Sequence, residues 1–288
     1  MFPGGGGVTL AHPAILALAM AMVSGWLWFE RSAQAQEALP DTLIFAAMPG
    51  NPLNQVGVPL IRDVYAELGI RIQVREVPPA RARAMLRDQQ VDGVIARPAG
   101  LNRQIPNAVP IEVPLTQLQL VAFARNDGVT GLRQGGHYRL GLLRGVTSGL
   151  DALPVEPILT NTTEQLMELL ARNRIDVAVD SDLVGAYFIQ RNGLKDLRIV
   201  SAPLKIVPVY HYLESRHRAL VPRVRKVLER LSQNGELAAR HAAFAQQLKL
   251  EDITLPVAEQ LTPADLKIER HVWMGPLPTL GRRPALTP

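Results

Sequence analysis

Two stretches of this 288-residue chain put charged side chains at the ends of apolar runs, where they could hold a small charged molecule. Residues 91–103 read VDGVIARPAGLNR and residues 175–187 read IDVAVDSDLVGAY. Each opens on an apolar residue followed by Asp, continues as a short apolar strand, and ends in polar groups. The first delivers Arg97 and Arg103, the second Asp180 and Asp182. Ligands of open α/β sheets sit outside the carboxyl ends of the strands. Two such units facing each other set cations on one wall of a cleft and anions on the other. A guanidinium suits a carboxylate because its planar fork donates two parallel hydrogen bonds. The Gly-flanked pair Thr147 and Ser148, in GVTSG, offers N–H and hydroxyl donors to the same anion. Each has a plainer reading: a solvated or paired Arg, an ordinary turn for Thr147 and Ser148. Asp180 ends an apolar strand, where an unpaired carboxylate is costly. Asp182 reads as the cap of the following helix, and Asp92 and Asp176 as anchors of strand starts.

The elements that must position these groups alternate between two periods. Residues 42–47 (TLIFAA) form a buried-type strand, and 58–68 an amphipathic helix closed by Gly69. Residues 70–77 alternate as a strand, 80–88 form a short helix, and 94–96 a strand. This β-α-β-α-β order implies a mostly parallel sheet covered on both faces, an α/β fold. Residues 106–114 read as a loop and 119–124 as a strand. The glycine-rich stretch 126–136 is the candidate crossing to a second unit. That unit has strands at 138–143, 175–179 and 197–200. A helix follows Asn161 and Glu164, which resemble a capping box, and another ends at Asn192-Gly193. Strand 205–213, interrupted by Pro208, returns to the first unit, and helices 220–231 and 235–248 follow. Beyond residue 251 the pattern gives way to scattered prolines.

Composition narrows the function. A hydrophobic content of 47% with 20% charged residues is that of a globular chain. The net charge of +5 comes from scattered Arg, without the basic runs and interleaved aromatics of a nucleic-acid groove. The absence of Cys excludes disulfides, thiolate metal sites and a Cys nucleophile. The six His residues form no i, i+4 pair or HExxH helix, so no metal site is expected. No phosphate loop, nucleophile elbow or dinucleotide fingerprint is present, and no cofactor is expected. Residues 14–29 are almost wholly apolar, and Ser32-Ala33-Gln34-Ala35 supplies a small-residue cleavage site, so residues 1–35 read as a secretory signal peptide. The alternative is a retained anchor, although the run falls short of the roughly 20 residues a span needs. Export to the periplasm is the expectation, with membrane contact only through that segment.

With the pieces in order, the chain resembles the type II periplasmic solute-binding proteins, the family 3 class that takes polar amino acids and similar solutes. The resemblance rests on PPARARAMLRDQQVDGVIARPAG, PNAVPIEVPLTQLQLVAFAR, RLGLLRGVTSG, RNRIDVAVDSDLVGAY and VPVYHYLESRHRALVPRV, and covers residues 42–248. It implies two α/β lobes joined by a two-strand hinge: 41–126 with 204–250 as one lobe, 127–203 as the other, and 251–288 as a Pro-rich extension. It further implies that Arg97 or Arg103 clamps a ligand carboxylate, with Thr147 and Ser148 at the same group. Asp180 then receives a ligand ammonium, and Arg81 lies near the cleft. The implied partners are a small polar or carboxylate solute and an ABC-type permease or a sensor. Two departures bear on the ligand: the loop AAMPGNP lacks an aromatic, and LDALPVEPIL is too short for a full helix. The competing readings are a dehydratase of the cyclohexadienyl or arogenate type on this scaffold, with Asp180, Asp182 or Glu112 as its acid, and a membrane-tethered interaction protein.

Overall fold

Short apolar runs alternating with amphipathic segments build one continuous sheet in the computed structural model, which describes residues 39–134, 137–144 and 155–266. The signal-peptide reading of residues 1–35 lies outside these. The chain opens with β1 (Thr42–Ala47), α1 (Asn54–Ala66), β2 (Arg71–Glu76), α2 (Pro79–Arg87) and β3 (Gly93–Pro98). These strands pair in parallel, with β1 between β2 and β3. Helix α1 begins four residues ahead of the stretch its periodicity marks. Asn51 Oδ1 accepts the Leu53 N–H at 3.0 Å, which ends the turn and lets the helix start at once. Its buried face is Leu60, Ile61, Val64 and Tyr65, and Gly69 closes it at φ +75°.

Then come α3 (Leu101–Gln104), β4 (Ala108–Pro110), β5 (Thr116–Arg125) and α4 (Val129–Arg133). The second unit holds β6 (Leu140–Leu143), β7 (Ile158–Thr160), α5 (Thr163–Ala171), β8 (Val177–Ser181), α6 (Asp182–Arg191) and β9 (Leu197–Ile199). The chain returns through β10 (Lys205–Glu214) into α7 (Val221–Gln233), α8 (Glu236–Gln247) and α9 (Leu250–Ile253). Strand order is β2-β1-β3-β10-β5-β8-β6-β7, with β4 beside β10 and β9 beside β5. The two arms are parallel; the strands that join them, β10 and β5, run antiparallel to their neighbours.

Four local expectations change. The crossing is not at 126–136 but inside β5. Its first half pairs with β10 and its second half with β8 and β9, while 126–133 form a 3-10 turn and α4. Residues 108–110, read as loop, pair with Glu214, Leu213 and Tyr212 of β10. The cap of α5 is Thr162 rather than Asn161, its hydroxyl accepting the Gln165 N–H at 3.2 Å. Residues 251–266 are not a featureless extension. Leu255 N–H donates to Ile199 O at 2.9 Å and Leu261 N–H to Val200 O at 2.6 Å, and Leu261 and Leu266 are buried. They cover the face of the second arm lined by Leu140, Leu142, Val177 and Val179, while α5, α6 and Phe244 of α8 cover the other. Each buried Leu is worth about 2 kcal/mol.

Two ionic clamps fix the strand starts. Asp92 accepts the Ile44 N–H at 2.7 Å and pairs with Arg216 at 2.7 Å and His217 at 2.6 Å. Burial alone would raise this carboxyl, but the bonds from His217, Arg216 and Ile44 outweigh it and hold it well below the usual carboxylate range. Asp176 accepts the Arg139 N–H at 2.7 Å and pairs with its guanidinium at 2.8 Å. Beside Asp92, Gly93 fits because the Tyr212 carbonyl and the Phe45 ring occupy the space a Cβ would take. Gly93→Ala is expected to destabilise by about 2 kcal/mol through overpacking, measured by urea unfolding; a change under a few tenths would show that β10 yields freely.

Candidate functional site

The carboxyl ends of β1, β3 and β8 face a common cavity of about 400 Å³, with β10 running along it. Its walls include Arg97 and Arg103 from the first arm and Asp180, Ser181 and Thr163 from the second. Arg97, Arg103 and Asp180 are therefore brought together. Arg81 is not: it is exposed on α2 and does not line the cavity. Thr147 and Ser148 lie outside the described residues.

Arg97 leaves β3 opposite Tyr210 of β10. Its strand is backed by Phe45, Tyr65 and His211, whose rings pack 4.9 to 5.6 Å apart. His211 Nδ1 lies 3.1 Å from Ile95 O, and Nε2 lies 2.9 Å from the Tyr65 hydroxyl. A carbonyl only accepts, so Nδ1 carries the proton and Nε2 takes the Tyr65 hydrogen bond. Burial pushes the His211 pKa down to about 4, which keeps the ring neutral, and pushes the Tyr65 hydroxyl well up. This buried pair fixes the strand that presents Arg97.

The guanidinium itself is poorly served. Nη1 reaches Ala96 O at 3.5 Å, and Nη2 is buried without a hydrogen-bond partner among the described residues. Burial, and after it the neighbouring Arg83 charge, pull its pKa down to about 10. Arg103 folds back over Gly100, a left-handed residue at φ +97° where a Cβ would strike the guanidinium.

Asp180 ends β8 fully inside the protein, 4% exposed. Thr163 Oγ1 donates to its Oδ2 at 2.6 Å, and the Ser181 N–H to its Oδ1 at 2.7 Å. Burial raises its pKa to about 6; the Thr163 and Ser181 bonds oppose the rise and the Asp182 charge adds to it. Among the described residues no ion pair compensates Asp180. Asp182 turns into α6, its Oδ1 accepting the Leu183 N–H at 2.8 Å. Thr163 and Ser181 are site residues that the linear pattern does not single out. Arg191 and Lys205 line the cavity too, and neither was marked by its surroundings in the sequence. Glu112 is exposed and does not line it. Among the described residues no group of three or more His, Cys, Asp or Glu is placed to hold a metal ion.

The same architecture occurs in solved structures. A histidine kinase sensor domain with similarity to periplasmic binding proteins aligns at TM-score 0.58 and 20% identity, covering 70% of this chain and 95% of that one. An ancestral arginine-binding protein bound to glutamine aligns at TM-score 0.59 and 15% identity, covering 72% and 99%. This is the type II periplasmic binding fold. In that fold two α/β lobes share a curled sheet, and here β5 and β10 are the strands common to both arms. An amino acid ABC transporter substrate-binding protein of Streptococcus pneumoniae, bound to L-arginine, aligns at TM-score 0.59 and 16% identity, covering 73% and 97%. In sequence, an uncharacterized protein of Shewanella oneidensis is 27% identical over 233 residues, 73% of this chain and 88% of that protein. No protein-family model matches the chain.

Proposed function

We propose that this protein is an exported solute-binding protein that closes two lobes around a small amino-acid-like or carboxylate-bearing molecule. The observation that carries the reading is the Arg97 guanidinium, which lines the cavity with a buried, unpartnered donor. A buried donor left unpaired costs about 1–3 kcal/mol, more when charged, and a bound carboxylate would repay it. Asp180 complements it across the cavity as the acceptor for a ligand ammonium. Its lack of any cation partner among the described residues supports the role. Thr147 and Ser148, which follow β6 in the sequence, would add donors to the carboxylate, and Arg103 a second cation.

The lobes in this reading follow 41–126 with 204–250, and 127–203, with the first boundary moved back into β5, whose second half pairs with β8 and β9 of the second lobe. The hinge is the central part of β5 and β10, where two antiparallel strands can flex together. Closure would be a population shift drawn by a ligand that touches both arms. The similarity to transporter-associated proteins and to a kinase sensor domain supports delivery to an ABC permease or signalling as a sensor. Residues 1–35 would direct export to the periplasm. Among the described residues no helix is long and apolar enough to cross a membrane.

The test is a thermal-shift and calorimetry screen of the chain lacking residues 1–35 against amino acids and small carboxylates. A ligand at a hundred times its Kd should add about 2.7 kcal/mol of stability. Absence of any shift across the screen would sink the reading. One observation favours a second one: a buried carboxyl with a pKa near 6 in a cavity is also what a general acid requires. Turnover of prephenate by the purified protein, lost in Asp180→Asn, would establish the dehydratase instead.

A further inference from the structure

Asp180 is held unlike the aspartates that pin the strand starts. Asp92 pairs with Arg216 and His217, and Asp176 with Arg139. Among the described residues Asp180 receives neutral donors alone, the Thr163 hydroxyl at 2.6 Å and the Ser181 N–H at 2.7 Å. A tie between α5 and β8 needs no charge, and burying an anion to make one is costly. A carboxylate held there by a hydroxyl suits a cation that arrives from outside.

Helix α5 places Thr163 for this work. Its buried residues are Thr163, Leu166, Met167 and Leu170, the i, i+3, i+4, i+7 spacing of one helix face. Thr163 is the polar member of that stripe, 5% exposed, and a buried hydroxyl needs partners. Capping falls to its exposed neighbour Thr162, which accepts the Gln165 N–H. Thr163 therefore spends its proton on Asp180 Oδ2. A hydroxyl has one proton and two lone pairs, so toward any further group Thr163 Oγ1 is an acceptor. Each carboxylate oxygen also keeps a lone pair beyond the bonds from Thr163 and Ser181. Both side chains line the cavity. Oδ1, Oδ2 and Oγ1 together offer one acceptor for each N–H of a primary ammonium. On β5 the partner of Asp180 is the apolar Val121, and Leu143 follows on β6. The charged groups sharing the wall are Glu164 on α5, Arg191 on α6, Lys205 on β10, and Arg97 and Arg103 on and after β3. Asp182, at the start of α6, is the charge that bears on Asp180.

We infer that Thr163 is a specificity-determining residue, its hydroxyl fixing Asp180 as an ionised acceptor and adding its own oxygen, so that the preferred solute carries a primary ammonium. The inference rests on the solute-binding reading and narrows its substrate class. A solute whose nitrogen is dimethylated keeps its charge but brings one N–H to three acceptors, and two of them are left without a donor. Loss of the Thr163 hydroxyl removes a hydrogen bond that favours the ionised carboxyl, so Asp180 then takes its proton at higher pH.

The test is calorimetry of the chain lacking residues 1–35 with L-arginine, L-glutamine, L-glutamate and L-leucine between pH 5 and 9. The tightest of these is compared with its N,N-dimethyl derivative. The unsubstituted protein should favour the primary amine about tenfold or more. In Thr163→Val that preference should shrink to about threefold or less, and the pH below which affinity falls away should move up by about one pH unit. Thr163→Ser, which keeps the hydroxyl, should restore both. If Thr163→Val does not fold, Thr163→Ala carries the same expectations. Equal binding of the dimethyl derivative by the unsubstituted protein overturns the inference. So does a Thr163→Val affinity lowered by one factor at every pH, the mark of a merely structural hydroxyl, or a profile that does not move. These outcomes leave the solute-binding reading standing. Failure of all four amino acids to bind the unsubstituted protein at millimolar concentration overturns the amino-acid reading and this inference with it.

Discussion

Arg97→Met lowers the affinity for a carboxylate-bearing solute about a hundredfold, while the empty protein becomes more stable. Both signs follow from one fact. The unliganded guanidinium is buried with an idle donor, and that burial, followed by the like charge of Arg83, depresses its pKa to about 10. Removing an uncompensated buried cation relieves its desolvation cost, so methionine, which keeps the apolar stem, should stabilise the empty state by about 1–2 kcal/mol. Removing the same cation from a ligand-bound pair costs about 2–5 kcal/mol. Arg97→Lys should recover little of the affinity, because a point charge cannot match the carboxylate with two parallel bonds. Calorimetry gives the affinity and urea unfolding the stability. Ligand affinity unchanged within twofold in Arg97→Met would remove this residue from the site.

Asp180→Asn is expected to raise stability at pH 7.5 by about 2–3 kcal/mol and to abolish binding of ammonium-bearing solutes. In the folded protein this carboxyl titrates near 6, against about 3.9 when unfolded. The folded state therefore holds the proton more tightly. Its contribution to stability is full below about pH 4 and is lost as the pH rises through 6. Asparagine keeps the geometry: its oxygen accepts the Ser181 N–H and its amide can donate to Thr163 Oγ1. The difference in stability between variant and parent should be near zero at pH 4 and grow to its full value by pH 7.5. Subtracting the two profiles removes the opposite trend from Asp92 and Asp176, whose depressed carboxyls lose their contribution in acid. A flat difference across this range would contradict the buried, unpaired carboxyl. In the parent, affinity for an ammonium solute should fall about tenfold per pH unit below 6, because the arriving cation needs the ionised form.

The local order of elements was legible because each β-α step is encoded within some twenty residues. An apolar run, a loop and a 3.6-residue stripe follow one another in TLIFAA, PGNP and the Leu60, Ile61, Val64 face. The strand ends that carry Arg97 and Asp180 were legible for the same reason: a charged residue closing VIA or DVAV ends the apolar run and, if buried, needs a reason to be there. The change of partner halfway along β5 left no such mark. TQLQLVAFAR reads as one strand whether its neighbours stay the same or change, and glycines at 126–136 suggested a crossing, whereas the hydrogen bonds change partner at Leu120, ahead of that stretch. Thr162 and Asn161 are equally good caps on paper. Only the direction of the chain leaving β7 decides between them.

The sequence by itself determined the α/β class, the β-α order of both arms, and the strand ends on which Arg97 and Asp180 would stand. Those properties come from short-range periodicity and from the cost of burying a charge. The tertiary structure alone decided that the two strand ends open into one cavity, that Thr163 holds Asp180, and that Arg191 and Lys205 share the wall while Arg81 does not. It also decided that residues 251–266 seal the second arm. Each of these depends on pairing register and on contacts between residues far apart in the chain. No local pattern of residues carries that information.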